Sequence, residues 1–163
     1  MEKIIKYKKN ISIIFLCSGD CNNELQIINY LIKKGITISN VGFLDILYSD
    51  DNFVNDIKSK TNGLKCLFLK SFLELSESVV NCDLIISVGF QIAFYYDRTL
   101  GQLNHFKKCT EFIKIMDILG KYYGEIPWIF YDDEFHIDNY TLKNGKYFNE
   151  LASNMRNKMP QII

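Results

Sequence analysis

Proline and arginine are almost missing from this chain. Two of its 163 residues are proline, and only Arg98 and Arg156 stand for arginine among nineteen basic side chains. Scarce proline leaves nearly every backbone N–H free to serve a helix or a strand. Scarce arginine removes most of the planar, bidentate grip that proteins use on phosphate. A nucleic-acid substrate therefore ranks below a small molecule or a protein. Net charge is missing as well, because nineteen acidic side chains cancel the nineteen basic ones. That excludes a global electrostatic pull toward nucleic acid or an anionic membrane. The apolar run Ile11 to Cys17 is far shorter than the roughly 18–20 residues of a membrane helix, and Ser18-Gly19-Asp20 ends it. The expectation is a soluble, cytoplasmic protein without a membrane partner. Five cysteines (Cys17, Cys21, Cys66, Cys82 and Cys109) make an odd count, mostly in or beside apolar stretches, which does not read as a disulfide framework. Cys17, Cys21, His105 and Cys109 carry zinc-ligand chemistry, but buried small apolar side chains are the simpler reading, and no metal is expected.

What is present is a core-forming composition: 48% of residues are hydrophobic and 14% aromatic. At this length they form one domain, residues 1–163, with no repeat and no linker. The abundance of isoleucine, asparagine, lysine and tyrosine reflects AT-rich coding and says little about chemistry. Short apolar runs alternate with helical patterns. Ile11 to Cys17 is a continuous β-branched and aromatic run, suited to a central parallel strand. From Asn23 to Lys34, apolar residues at Leu25, Ile27, Ile28, Leu31 and Ile32 predict a helix, with Asn22 or Asn23 as N-cap and Gly35 as the stop. Further strands are expected at Ile36 to Leu47, Leu64 to Leu69, Asp83 to Phe90 and Trp128 to Tyr131. Helices are expected from Asp50 or Asp51 to Lys60, over Phe72 to Val80, from Gln91 to Tyr123 with a break near Gly101, and over Glu150 to Lys158. Asn144-Gly145 within Tyr140 to Phe148 is a hairpin signal. The repeated strand–helix order predicts an α/β fold: three layers around a doubly wound, mainly parallel sheet, with a C-terminal antiparallel hairpin.

Ligands of such sheets bind beyond the carboxyl ends of the strands. Four segments fall there: Ser18 to Glu24, Asp45 to Asp50, Lys70 to Phe72, and Gly89 to Ala93. Gly19 lets the chain turn as it leaves the first strand and exposes amides at the helix start. The loop lacks the Gly-Lys-Ser/Thr of a phosphate loop and holds one glycine of the dinucleotide fingerprint. So little glycine leaves less room for a pyrophosphate than for a smaller, less anionic ligand. Asp45, about 25 residues on, can accept hydrogen bonds from two ribose hydroxyls, or it can cap a turn. Lys70, Ser71 and Phe72 can supply a polar contact and an apolar wall. Ser87, Gly89 and Gln91 bring a glycine and polar groups to the end of the fourth strand.

These segments, IIFLCSGDCNNELQIINYLIKKG, VGFLDILYSD, CLFLKSFLEL and CDLIISVGFQ, resemble the class I S-adenosylmethionine-dependent methyltransferases, over roughly Ile11 to Tyr131. The resemblance implies a Rossmann-like fold, S-adenosylmethionine as cofactor and transfer of its methyl group to an unidentified acceptor. It implies that Ser18, Gly19 and Asp20 pass the methionine part, Asp45 binds the ribose, and Lys70, Ser71 and Phe72 touch the adenine. Ser87 to Gln91, with Ser87 and Gly89 foremost, would border the methyl group. The family's first motif carries two or three glycines, where this chain has Cys21 and Asn22 after Gly19. The Asn/Asp-Pro-Pro-Tyr/Phe motif of amino-methylating nucleic-acid enzymes is absent.

Candidate catalytic groups are His105, His136, Tyr95, Tyr96 and Asp97, none in a motif that assigns it a role. Asp132, Asp133, Glu134, His136 and Asp138 form an acidic loop after the fifth strand, and Tyr95-Tyr96 with Arg98 could stack on a planar substrate. Three other readings stand beside methyl transfer. One is a catalytically inactive Rossmann-like domain that binds a nucleoside-type ligand or a protein partner. The second is a flavodoxin-like nucleotide or flavin binder. The third is a nucleotide-processing hydrolase or glycosyltransferase that uses Asp45 or the acidic loop.

Overall fold

The structure, a computed structural model, describes residues 10–16, 18–71, 73–75, 81–88, 113–114, 116–131, 135–137, 141–144, 150 and 153. Six strands form one sheet: β1 (Asn10–Leu16), β2 (Thr37–Leu44), β3 (Cys66–Leu69), β4 (Leu84–Val88), β5 (Pro127–Tyr131) and β6 (Thr141–Asn144). Their order is β3-β2-β1-β4-β5-β6. The first five run parallel, and β6 runs antiparallel to β5. The chain winds outward from β1 to β3 and then returns to place β4 on the other side of β1. This is the doubly wound, Rossmann-like α/β fold, in which the reversal of strand order beyond the carboxyl ends of β1 and β4 is the place where such sheets take ligands.

Alternating side chains divide the core between the two sheet faces. Ile13 and Phe15 of β1 join Val41, Phe43, Leu84 and Ile86 in one cluster, with Ile27, Ile28 and Leu31 of helix α1 (Asn22–Lys33) and Ile57 of helix α2 (Asp51–Lys60). Ile14 and Leu16 face the other way, with Leu44, Ile85, Trp128 and Phe130, and meet Met116, Leu119 and Tyr123 from the helical residues 116–123. Both faces are covered, which is why these strands are continuous apolar runs rather than alternating ones. At the amino edge the β1–β2 register slips between Ile11 and Ser12. Ser39 fills the irregularity, its hydroxyl bonding the Ile11 carbonyl at 3.1 Å and the Ser12 hydroxyl at 2.9 Å. The slip explains how Ile38 shares a face with Val41 and Phe43 despite the odd spacing.

Helix α1 ends as its sequence predicts. Gly35, at φ 80, takes the left-handed position after Lys34. The amides of Gly35 and Ile36 donate to the carbonyls of Ile32 and Leu31, at 2.9 and 3.1 Å, which is a Schellman closure. Its start differs from expectation. The N-cap is Cys21, left-handed at φ 61 and without a side-chain cap bond, rather than Asn22 or Asn23. Its buried face is Glu24, Ile27, Ile28 and Leu31, while Ile32 is exposed.

Strand β2 stops at Leu44, short of the expected Leu47. The Asp45 carboxylate accepts from the Leu47 amide and turns Ile46–Ser49 into a 3-10 turn. Strand β3 begins at Cys66 rather than Leu64, because the Leu64 amide is held by the Thr61 carbonyl in the turn after α2. Strand β5 begins at Pro127, a position where the missing N–H costs little. Just before Asn144-Gly145, β6 pairs antiparallel with β5. Thr141 to Asn144 are thus the returning arm of a connection from Tyr131, and residues 145–149 lie outside those described. So do most of the helices expected over Phe72 to Val80, Gln91 to Tyr123 and Glu150 to Lys158. Among the described residues both sheet edges, β3 and β6, are strands of four residues, with Leu67 and Leu142 exposed on them. Among the described residues no helix is long and apolar enough to cross a membrane.

Candidate functional site

The first two loops leave the sheet at its carboxyl edge and are joined to each other. Leaving β1, the chain reaches Ser18, whose amide donates to the Leu44 carbonyl at 3.3 Å. Gly19 follows at φ 49, the left-handed conformation that a glycine adopts freely. Its amide donates to Asp45 Oδ2 at 3.0 Å. Asp45 Oδ1 accepts from the Leu47 amide at 3.1 Å, and the Asp45 amide donates to the Leu69 carbonyl at 3.1 Å. One residue thus ties the ends of β1, β2 and β3 together. Asp45 is therefore a turn cap, as one of its two expected roles required. A carboxylate offers about four acceptor positions, so two backbone bonds leave capacity for ligand hydroxyls.

Tyr48 closes the knot. Its buried hydroxyl lies 2.6 Å from Ser18 Oγ, 3.0 Å from Cys21 Sγ and 3.1 Å from the Gly19 carbonyl oxygen. Its ring is stacked on Phe53 and meets Phe68 edge-on, at centroid distances of 6.0 and 5.2 Å. Burial pushes the Cys21 thiol up to about 12, so the sulfur stays protonated. Two further loop amides are engaged within the loop itself: Cys21 donates to the Ser18 carbonyl at 2.8 Å and Asn22, at the surface, to Asp20 Oδ1 at 3.2 Å. Amides committed in this way do not cradle a phosphate.

Carboxyl groups surround the same loop. Asp20 is exposed and Asp45 half-buried, while Glu24, in the first turn of α1, is buried. Burial raises the Glu24 carboxyl to about 8; a backbone N–H contact offsets part of this, and the nearby charges of Asp20 and Asp45 add to it. Near neutral pH it holds its proton. Two large apolar side chains stand uncovered beyond the neighbouring ends of β2 and β3, Leu47 at 50% exposure and Leu73 at 62%. Lys70 and Ser71 form the turn between them and β3: the Lys70 amide donates to Glu74 Oε2 at 2.8 Å, and the Ser71 carbonyl accepts from the Glu74 amide at 3.2 Å. On β4, Ser87 pairs in register with Leu16 and Phe130. Its hydroxyl is buried and has no hydrogen-bond partner among the described residues.

Of the residues expected from sequence, Ser18, Gly19, Asp20 and Asp45 come together around one loop, while Lys70, Ser71 and Ser87 lie at neighbouring strand ends. Phe72, Gly89, Phe90 and Gln91 lie outside the described residues, as do Tyr95, Tyr96, Asp97, Arg98, Asp132, Asp133, Glu134 and Asp138. His136 is exposed in the segment after β5, where the Tyr131 hydroxyl holds the Ile137 carbonyl at 3.1 Å. Of the four zinc-type residues, Cys21 is engaged by Tyr48, and Cys17, His105 and Cys109 lie outside the described set. No cluster of metal-ligating side chains occurs among the described residues.

Tyr48 and Glu24 fall within the segments named from sequence, Asp45 to Asp50 and Ser18 to Glu24, but neither stands out there as an individual residue. Glu24 was within reach, since positions 24, 27, 28 and 31 form one helical stripe. Tyr48 carries no local signal, because its role exists only once β1 and β2 lie side by side.

The sequence matches no known protein family profile and no curated protein. Among solved structures, the chain is similar to one from Listeria monocytogenes provisionally described as a class I S-adenosylmethionine-dependent methyltransferase. The TM-score is 0.47 and the identity 20%, over 79% of this chain and 41% of that one. This chain thus spans about two fifths of the length of that protein.

Proposed function

We propose that the protein binds S-adenosylmethionine beyond the carboxyl ends of β1, β2 and β4 and passes its methyl group to a small-molecule or protein acceptor. The observation that carries this reading is the Gly19–Asp45 bond, which sets an acidic side chain with spare acceptor positions beside the loop leaving β1. Charge supports it. A loop flanked by Asp20 and Asp45, with several of its amides already engaged, suits a ligand that lacks phosphate and carries positive charge. FMN and nucleoside phosphates are the opposite. When bound, the cofactor supplies an electrophilic methyl group on a sulfonium centre. The chain's own part is to hold it. Asp45 accepts from the ribose hydroxyls, Leu47 and Leu73 give the base an apolar wall, and Ser87 offers an unused hydroxyl at the switch point. Methyl transfer depends mainly on positioning, and no side chain here is assigned as a base.

The test is titration with S-adenosylmethionine, S-adenosylhomocysteine, FMN and ATP, followed by calorimetry and thermal denaturation. The two adenosyl ligands should bind and raise the melting temperature, and FMN and ATP should not. Asp45→Ala should abolish the response. Absence of any adenosyl binding would end this reading. The glycine-poor loop favours a second reading, a catalytically inactive domain that keeps a nucleoside-type ligand or a protein partner. Its sign would be tight S-adenosylhomocysteine binding without methyl transfer to any acceptor.

A further inference from the structure

The loop that passes Gly19 holds a non-glycine residue, Cys21, in the left-handed region at φ 61. Such a backbone costs energy and persists only where surrounding contacts over-determine it. Those contacts converge on one atom. A tyrosine hydroxyl has one proton to give and two lone pairs to offer. The Gly19 carbonyl can only accept, and the Tyr48 hydroxyl reaches it at 3.1 Å. Ser18 Oγ at 2.6 Å and Cys21 Sγ at 3.0 Å are its other two partners, and the Cys21 thiol also reaches the Gly19 carbonyl, at 4.0 Å. The hydroxyl thus has three partners, in a buried setting where hydrogen bonds reinforce one another. Its ring is fixed independently by Phe53 and Phe68.

We infer that Tyr48 is the positioning residue of the first loop: its hydroxyl takes over the work of missing glycines and keeps the loop in its ligand-bearing shape when no ligand is present. The inference rests on the reading of that loop as the ligand loop, but the loop's order in the free protein can be measured separately.

The experiment compares wild type with Tyr48→Phe, which keeps the ring and deletes the hydroxyl. Amide hydrogen exchange of the free proteins comes first. Residues 18–22 should exchange about tenfold faster in the variant, the loss expected for one to two buried hydrogen bonds. Peptides from β1 and β4 should be unchanged. Unchanged loop exchange, or equal acceleration in β1 and β4, overturns the inference. Ligand binding comes second. S-adenosylhomocysteine, which reaches the loop with its amino-acid part, should bind about tenfold more weakly to the variant. Adenosine, which reaches only Asp45 and the apolar wall, should bind within about twofold. An equal loss for both ligands would mean that Tyr48 merely supports the fold, and would overturn the positioning role. If wild type binds neither ligand, the proposed function fails, and the exchange result alone decides on Tyr48. Should Tyr48→Phe not fold, Ser18→Ala removes one of the hydroxyl's two side-chain partners. It should show the same pattern at about threefold, and no change in loop exchange would overturn the inference.

Discussion

The Gly19 amide and the Asp45 carboxylate meet at 3.0 Å across 26 positions of sequence, and that bond fastens the loop after β1 to the loop after β2. Removing the carboxylate orphans two amides at once, those of Gly19 and Leu47. Asp45→Ala should destabilise the fold by about 1–2 kcal/mol, as loss of a cap does. At this chain length the melting temperature should drop by roughly 2–8 °C. Asp45→Asn keeps an acceptor for one of the amides and should lose less. Equal losses in the two variants would show that the hydrogen bonds are not what Asp45 contributes.

Glu24 makes stability depend on pH with an unusual sign. Its carboxyl titrates near 8 in the folded chain against 4.5 for an ordinary glutamate. Below about 4.5 it is protonated both folded and unfolded. Between there and about 8 the unfolded chain releases a proton that the folded chain keeps, so stability falls as pH rises. Above about 8 the fold bears the full cost of a buried charge, on the order of a few kcal/mol. Glu24→Gln should flatten this slope and be the more stable form at pH 8.5. Urea midpoints at pH 5, 7 and 8.5 test this, and parallel curves for the two proteins would refute it.

Ser87 separates stability from binding. A buried hydroxyl without a partner costs desolvation, so Ser87→Ala should leave stability unchanged or raise it by up to about 1 kcal/mol. The same change should weaken S-adenosylhomocysteine binding, which calorimetry would detect. A destabilised Ser87→Ala protein would mean that the hydroxyl already serves the fold.

Gly35 is the simplest prediction. At φ 80 an alanine is strained, and Gly35→Ala should cost about 1 kcal/mol in chemical denaturation with no effect on ligand binding. No measurable cost would mean that α1 closes by another route.

The strands were legible because β1 and β4 are buried on both faces and therefore read as unbroken apolar runs. Helix α1 was legible from the spacing of Ile27, Ile28 and Leu31 and from Gly35. Errors gathered where one side chain redirects the backbone. The second strand was expected to run on to Leu47, but it stops at Leu44, before the turn that Asp45 caps. Cys21 took the cap position that Asn22 and Asn23 advertise, because Tyr48 holds it from another strand's loop. The position of Asp45 near the first loop was readable from the βαβ spacing, whereas the bonds of Tyr48 and of the Ser18 and Gly19 amides to the second strand and its loop are tertiary facts. Glu24 was hidden by its charge, although its position in the helical stripe marked it as buried.

The two ends of the sheet bear on how this protein behaves in a crowded solution. A chain with no net charge gains no long-range repulsion from its neighbours, and an open strand invites a stranger's backbone to pair with it. Among the described residues each border is four residues long, with Lys65 and Lys70 bracketing β3 and Lys143 within β6. An incoming strand would find few bonds to make and a lysine ammonium to desolvate in making them. Colloidal stability in this protein is thus a local property, kept at two short seams, and charge-neutral substitutions of those lysines would endanger it sooner than any change in the core.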